Sequence, residues 1–320
     1  MKFDAIILAA GKGKRMKPFS DVISKPMLPL LNKPLVSIIA EQLLELGAEK
    51  IVITVSNANE QEIKNYFEKQ LYAKKIIYCL QDPPQGTADA IYKAGLLCSS
   101  ETLYSMAGDN LFSKNFCKVM LENYLKHRNQ STCIMALMQV TKEEITKLAS
   151  VKMNKTGLIT SIVEKPLLEQ VTSTLASLSM YIFNASLLSY FGSVPLSARG
   201  EYEAPDAFKA MIQDKDKINL QGLVTTESYI HISNPQDLWK HNMHLLGQDS
   251  NVFGENLSKG SKVKIIHCVI GKDVSIGDNS ALENLVILDG VKIEANSNIK
   301  NAIVGASPTG IEKITIDYQD

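Results

Sequence analysis

Four side chains, Arg15, Lys25, Asp109 and Lys165, stand in sequence settings suited to charge chemistry on phosphate. The apolar run Ala5 to Ala10 breaks into Gly11-Lys12-Gly13-Lys14-Arg15-Met16, followed by Lys25-Pro26-Met27-Leu28-Pro29-Leu30. Backbone N–H groups of Ala9, Ala10, Gly11 and Gly13 can approach phosphate oxygens closely there. Arg15 and Lys25 would neutralise charge on the same group. No Gly-Lys-Ser/Thr follows, so the loop is not a P-loop. The third glycine of a dinucleotide fingerprint is also missing. Gly108-Asp109 closes a predicted strand, and a single carboxylate there suits Mg²⁺ shared with phosphate oxygens and water. In Val163-Glu164-Lys165-Pro166, the proline predicts an extended backbone at Lys165, whose compact cation suits a phosphate monoester. Gln81 to Ala88 follows a strand and opens a helix. Gln81 offers an amide to a base edge, Gly86 a close backbone approach, and Thr87 a helix cap.

These groups need a frame that brings strand ends together. Apolar spacing predicts helices over 33–46, 59–70, 87–97, 202–211 and 235–246. Strands are predicted over 50–55, 75–80, 103–107, 131–140 and 178–183, with a hairpin over 151–163 turning at 154–157. The alternation in the first half is βαβ logic, which predicts a mainly parallel sheet with ligands at the carboxyl ends of its strands. The middle predicts an added mixed-sheet lobe carrying a second substrate. Beyond 247–254, Ile270, Ile276, Leu282, Leu288, Ile293 and Ile299 recur at about six residues, with a five-residue step between Leu288 and Ile293. That period predicts three short strands per coil of a parallel β-helix. The expected division is 1–248 and 249–320.

The 320 residues carry 34 basic and 34 acidic side chains, so any phosphate-binding charge is local. Zero net charge without a basic run argues against nucleic acid or a membrane surface as main partner. No apolar run approaches the ~20 residues of a membrane span. Cys79, Cys98, Cys117, Cys133 and Cys268 are scattered and read as reduced core residues of a cytoplasmic protein.

The pairing of LAAGKGKRM with KPMLPL resembles the signature of the sugar-1-phosphate nucleotidylyltransferases, with Lys14 where that family usually has Thr. The resemblance implies a Rossmann-like nucleotidyltransferase domain with a mixed, mostly parallel sheet and a short left-handed β-helix tail. It implies transfer of a nucleotidyl group from an NTP, UTP or dTTP favoured by the Gln81 and Gly86-Thr87 segment, to a sugar-1-phosphate. Arg15 would act on the leaving pyrophosphate, Lys25 on the α-phosphate or pyrophosphate, and Lys165 on the sugar phosphate. Glu164 would meet sugar hydroxyls, and Glu201, in a segment similar to the family's GE(Y/L)xxTDA, lies near the site. Asp206 of the same segment is expected to cap or pack its helix. Asp109 would hold Mg²⁺.

His231 stands where the family usually has Asp completing the metal site. Imidazole suits Mn²⁺ or Co²⁺ better than Mg²⁺. Three readings follow: His231 ligates a softer metal, bonds a metal-bound water, or marks a non-catalytic nucleotide-sugar sensor. A guanylyl- or cytidylyltransferase of the same fold is a further alternative. Ser179 stands where many members have Gly near the sugar. The tail is too short for a complete acyl-CoA site, so His267 is expected to be a surface or rung residue. So short a coil is expected to be stabilised by packing on the catalytic domain or on another subunit, and the tail suggests a homo-oligomer formed through it.

Overall fold

The computed structural model describes residues 2–247 and 250–316. Two compact units emerge by contact: 1–11 with 39–229, and 12–38 with 230–320. The glycine-rich cationic segment therefore groups with the C-terminal part of the chain, a division that does not follow chain order. The helices are α1 Leu35–Glu45, α2 Glu60–Phe67, α3 Thr87–Gly95, α4 Lys114–Lys126, α5 Lys142–Ile145, α6 Leu188–Gly192, α7 Ala204–Gln213 and α8 Pro235–Leu246.

The first unit is built on one nine-stranded sheet. Its strands are β1 Phe3–Leu8, β2 Ala48–Val55, β3 Ile76–Leu80, β4 Thr102–Ala107, β5 Thr132–Gln139, β6 Ala149–Met153, β7 Ile159–Glu164, β8 Leu175–Asn184 and β9 Asn219–Thr225. β1 pairs in parallel with both β2 (Ile6 opposite Val52) and β4 (Ile6 opposite Ser105), and β2 with β3. The order 3-2-1-4 reverses direction between β1 and β4, which opens a crevice at their carboxyl ends. Both strands are buried on both faces, as helix-covered parallel strands must be.

The sheet is mixed rather than mostly parallel. β8 runs antiparallel to β4, β5 and β6, and β6 and β7 form the expected hairpin. The middle strands thus extend the same sheet instead of forming an added lobe. The reason lies in β8, whose ten residues are long enough to bond β4 at one end and β6 at the other. β5 and β8 lose register between Ser177 and Tyr181, where Ser179 takes a φ of 52°. In this unit α4, α5, α6 and β9 escaped the sequence reading. α4 is capped by the Ser113 hydroxyl, which accepts from the Phe116 N–H at 3.0 Å, and β9 runs parallel to β5 in unbroken register through Gly222.

In the second unit, β10 Val252–Phe253, β12 Lys264–Ile270, β14 Ala281–Ile287 and β16 Asn298–Ser307 form one parallel ladder, closed by antiparallel β17 Gly310–Thr315. β11 Ser258–Lys259, β13 Ser275–Ile276 and β15 Lys292–Ile293 form another. Ile270 pairs with Ile287, Ile276 with Ile293, and Leu282 with Ile299, so each step along a ladder spans 17 residues. The apolar track accordingly runs through Ile287, and the five-residue step falls between Leu282 and Ile287 rather than after Leu288. His267, Asn284 and Asn301 occupy one corner at φ values of 52°, 53° and 48°, splitting each long strand in two. His267 Nδ1 lies 2.9 Å from Asn284 Oδ1, and Asn284 Nδ2 donates to Asn301 Oδ1 at 2.9 Å, a rung ladder along that corner.

Candidate active site

In the first unit, the turn after β1 is held by polar groups that the sequence reading missed. The Ala9 N–H donates to the buried Thr54 hydroxyl at 2.9 Å, and Asn59 Nδ2 donates to the Ala9 carbonyl at 2.8 Å. Ala9 and Ala10 are both buried, whereas a Cβ at Gly11 would meet nothing within 4 Å. Backbone is therefore fixed up to Ala10 and open at Gly11, as a phosphate-binding turn requires. Gly108 abuts the same strand end: its N–H donates to the Leu8 carbonyl at 2.9 Å, and a Cβ there would lie 2.8 Å from that oxygen. The glycine is a packing requirement against the end of β1, and the next residue, Asp109, is half-buried at the crevice between β1 and β4.

The loop carrying Asp109 is braced on both sides. Asn110 Nδ2 donates to the Leu178 carbonyl at 3.0 Å, at the irregular stretch of β8. Phe112 stacks on Tyr229 with ring centroids 5.1 Å apart, and Gln42 Nε2 donates to the Phe112 carbonyl at 3.1 Å. Burial, with the Asp109 charge nearby, pushes the Tyr229 hydroxyl pKa up. Ser179, next to Leu178, has the left-handed φ that favours glycine, which accounts for a Gly preference at this place.

Gln81 spends both amide protons inside the protein, on the Gly86 carbonyl (2.9 Å) and Asp89 Oδ2 (2.8 Å). What it can offer a ligand is its oxygen, an acceptor. Gly86 serves a different approach from the one expected. A Cβ there would fall 2.3 Å from the Tyr202 carbonyl oxygen, so the space is filled by backbone and not by a base or phosphate. Thr87 does not cap its own helix either; its hydroxyl accepts the Ala204 N–H at 3.0 Å, at the start of α7. The Tyr202 N–H to Gln85 carbonyl and Ala88 N–H to Tyr202 carbonyl bonds (2.7 and 2.9 Å) complete a clasp between the two segments. Asp206 sits in the first turn of α7, paired with Lys209 at 2.7 Å, while Glu203 holds the N-cap position.

Lys165 is not extended. Its φ is 44°, although its N–H continues the hairpin register by donating to the Leu148 carbonyl at 2.9 Å. The left-handed φ departs from the extended backbone that Pro166 favours at the residue before it. The Lys165 ammonium lies 3.5 Å from Glu164 Oε1, and Arg199 Nη2 lies 3.4 Å from the same oxygen. Arg199 in turn grips buried Glu203 through Nε (2.8 Å) and Nη2 (2.6 Å). Burial pushes the Glu164 carboxyl up from its ordinary value, with the two cations opposing. Arg199 is a second fixed cation beside Lys165 that sequence reasoning missed; only the fold makes them neighbours. Glu201 is exposed on the same loop.

In the second unit, Gly13 takes a φ of 59° and opens the short turn Lys14–Met16. A Cβ there would lie 3.1 Å from the Lys25 Cβ, so the glycine turn and Lys25 are packed neighbours. Arg15 is exposed and Met16 buried, which turns the guanidinium outward. His231 precedes the α8 cap, in which Asn234 Oδ1 accepts the Asp237 N–H and Asp237 Oδ2 accepts from Ser233. That cap engages Asp237 locally.

Among the described residues, no group of three or more His, Cys, Asp or Glu is placed to hold a metal ion. The half-buried Asp109 carboxylate at the ends of β1 and β4 fits Mg²⁺, which takes one or two carboxylates and fills its shell with phosphate oxygens and water. The five cysteines are free, with Cys98 half-buried and the rest buried. Burial raises their thiol pKa values, to about 12 at Cys98 and about 11 at Cys117 and Cys268, which disfavours the thiolate.

Comparison with known proteins adds three findings. Residues 4–248 match the family described as Nucleotidyl transferase, and residues 240–317 match the GlmU-like C-terminal hexapeptide family. Among curated relatives, the bifunctional protein GlmU of Methanococcus maripaludis is 27% identical over 95% of this chain and 78% of its own length. The UTP–glucose-1-phosphate uridylyltransferase AglF of Haloferax volcanii is 29% identical over 68% of this chain and 88% of its own. Among solved structures, UDP-glucose pyrophosphorylase complexed with UDP-glucose superposes with a TM-score of 0.68 at 22% identity, over 77% of this chain and 98% of that one, a likeness of fold.

Proposed function

The chain belongs to the nucleotidyl transferase family, and from that we propose that it joins UTP or dTTP to a sugar-1-phosphate, giving a nucleotide-sugar and pyrophosphate. The observation that carries the reading is the crevice at the ends of β1 and β4, with open backbone at Gly11 on one side and Asp109 on the other. The attacking sugar-phosphate oxygen is already an anion, so the reaction needs alignment and charge neutralisation rather than a general base. Arg15 binds the leaving pyrophosphate and Lys25 the α-phosphate or pyrophosphate. Lys165, with Arg199 beside it, binds the sugar phosphate, while Glu164 and Glu201 face sugar hydroxyls. Asp109 is the Mg²⁺ ligand; when bound, the ion offsets charge on the α-phosphate. His231 is the candidate second ligand, for which Mn²⁺ or Co²⁺ is the better match.

Base choice follows from Gln81. With both amide protons engaged internally, its oxygen accepts from the N3–H of uracil or thymine, whereas cytosine presents an acceptor at N3. Calorimetric titration with UTP, dTTP, CTP and GTP in Mg²⁺ tests this. Binding of UTP or dTTP at least tenfold tighter than CTP is expected; preference for CTP contradicts it. GTP, whose N1–H is also a donor, is the base that keeps the guanylyl reading alive.

A second reading, a nucleotide-sugar sensor without turnover, is favoured by one residue, His231. The segment 1–248 is proposed as the catalytic part, and 249–320 as a short left-handed β-helix through which copies of the chain self-associate. Among the described residues no helix is long and apolar enough to cross a membrane.

A further inference from the structure

We infer that the C-terminal coil and α8 act as the brace of the phosphate-binding segment, with Asn242 as its positioning residue. The inference rests on the nucleotidyl-transfer reading. Segment 12–38 carries six cationic side chains against one acid, Asp21. Apart from the first residues of α1, it contains only three short turns and a two-residue hairpin, Pro29–Leu30 with Lys33–Pro34. Such a segment cannot hold a cluster of like charges in place by itself. The hairpin turn is also strained. Leu31 and Asn32 take φ values of 47° and 65°, a conformation a bulky leucine adopts only when its surroundings impose it.

Bonds from Asn242 and from Asn32 hold that turn, and Phe19 anchors the segment at a third point. Asn242 of α8 is fully buried. Its Oδ1 accepts the Leu31 N–H at 2.8 Å, and its Nδ2 donates to the Pro29 carbonyl at 3.0 Å and the Leu238 carbonyl at 2.9 Å. Asn32 Nδ2 donates to the Ile270 carbonyl at 2.7 Å, on β12. Phe19, midway between Arg15 and Lys25, is buried against β16, where a Cβ on Gly305 would lie 2.9 Å from its ring. Helix, first coil and last coil each grip the segment that carries Arg15 and Lys25. The coil is therefore part of the nucleotide site's support and not only an appended surface.

The full-length chain tests this with Asn242→Ala and Asn32→Gly. The second variant keeps the left-handed turn, which glycine adopts freely, and removes only the bond to the coil. Trp239→Phe is the control: it removes the 2.8 Å bond from Trp239 Nε1 on α8 to the Asn284 carbonyl on β14 and keeps the Asn242 and Asn32 bonds to the turn and coil. The expected result is at least a tenfold rise in the KM and Kd for UTP or dTTP in both test variants. KM for the sugar-1-phosphate should stay within twofold, and Trp239→Phe should bind nucleotide normally. Unchanged nucleotide affinity in folded Asn32→Gly overturns the inference, as does an equal loss in Trp239→Phe. Wild-type protein that binds no nucleotide would defeat the functional reading itself, and this inference with it.

Discussion

Thr87 and Ala204, 117 residues apart in the chain, share a 3.0 Å hydrogen bond in which the threonine hydroxyl accepts the N–H that opens α7. Beside it, Gly86 lies against the Tyr202 backbone with no room for a side chain. The clasp joins the segment expected to read the base to the loop bearing Arg199 and Glu201. Thr87→Val removes a helix cap and should cost about 1 kcal/mol. Gly86→Ala adds a clash at a φ of 115° and should cost about 3 kcal/mol or more. Urea unfolding measures both, and equal stability of the two variants would contradict the clasp.

Lys165 combines a strained backbone with a proposed phosphate contact. Lys165→Gly should relieve about 1 kcal/mol of left-handed strain while lowering turnover at least ~100-fold. A variant that gains stability and keeps its turnover would mean the strain serves no substrate.

Ser179 offers the complementary case. Its φ of 52° makes Ser179→Gly stabilising by about 1 kcal/mol, read as a higher Tm. A lower Tm would show that the serine hydroxyl holds the irregular stretch of β8.

Glu164 sets a pH dependence. Its folded-state pKa is raised, chiefly by burial, so the folded protein binds its proton more tightly than the unfolded chain does. Its stabilising contribution is full below the ordinary carboxylate value of 4.5 and is lost as pH rises through the folded value. Glu164→Gln should therefore be more stable than wild type at neutral pH, with the gap closing below about pH 4.5. Parallel urea titrations across that range decide it; a gap that widens on acidification contradicts the sign.

Much of this frame was legible in the residues. The strand and glycine at Ala5 to Gly13, Gly108-Asp109 and the six-residue apolar spacing are local patterns, and local sterics fix them. The 17-residue step was legible too, although its short interval was misplaced because Ile287 and Leu288 are both apolar and only pairing with Ile270 distinguishes them. Asn242, Thr54, Asn59 and Arg199 were not legible. Each is one polar residue whose meaning depends on a partner distant in the chain. The left-handed φ of Lys165 was not legible either, because the proline after it argues for extended backbone.

The central claim is tested most directly by pyrophosphate release, with UTP, dTTP, CTP and GTP each paired against several sugar-1-phosphates in Mg²⁺ and then Mn²⁺. The account predicts release with UTP or dTTP and one sugar-1-phosphate, reduced at least ~100-fold in each of Arg15→Ala, Lys25→Ala and Asp109→Ala. Activity confined to Mn²⁺ would assign His231 to the metal. Absence of release from every pair, with nucleotide-sugar still bound, would contradict the account in favour of a sensor.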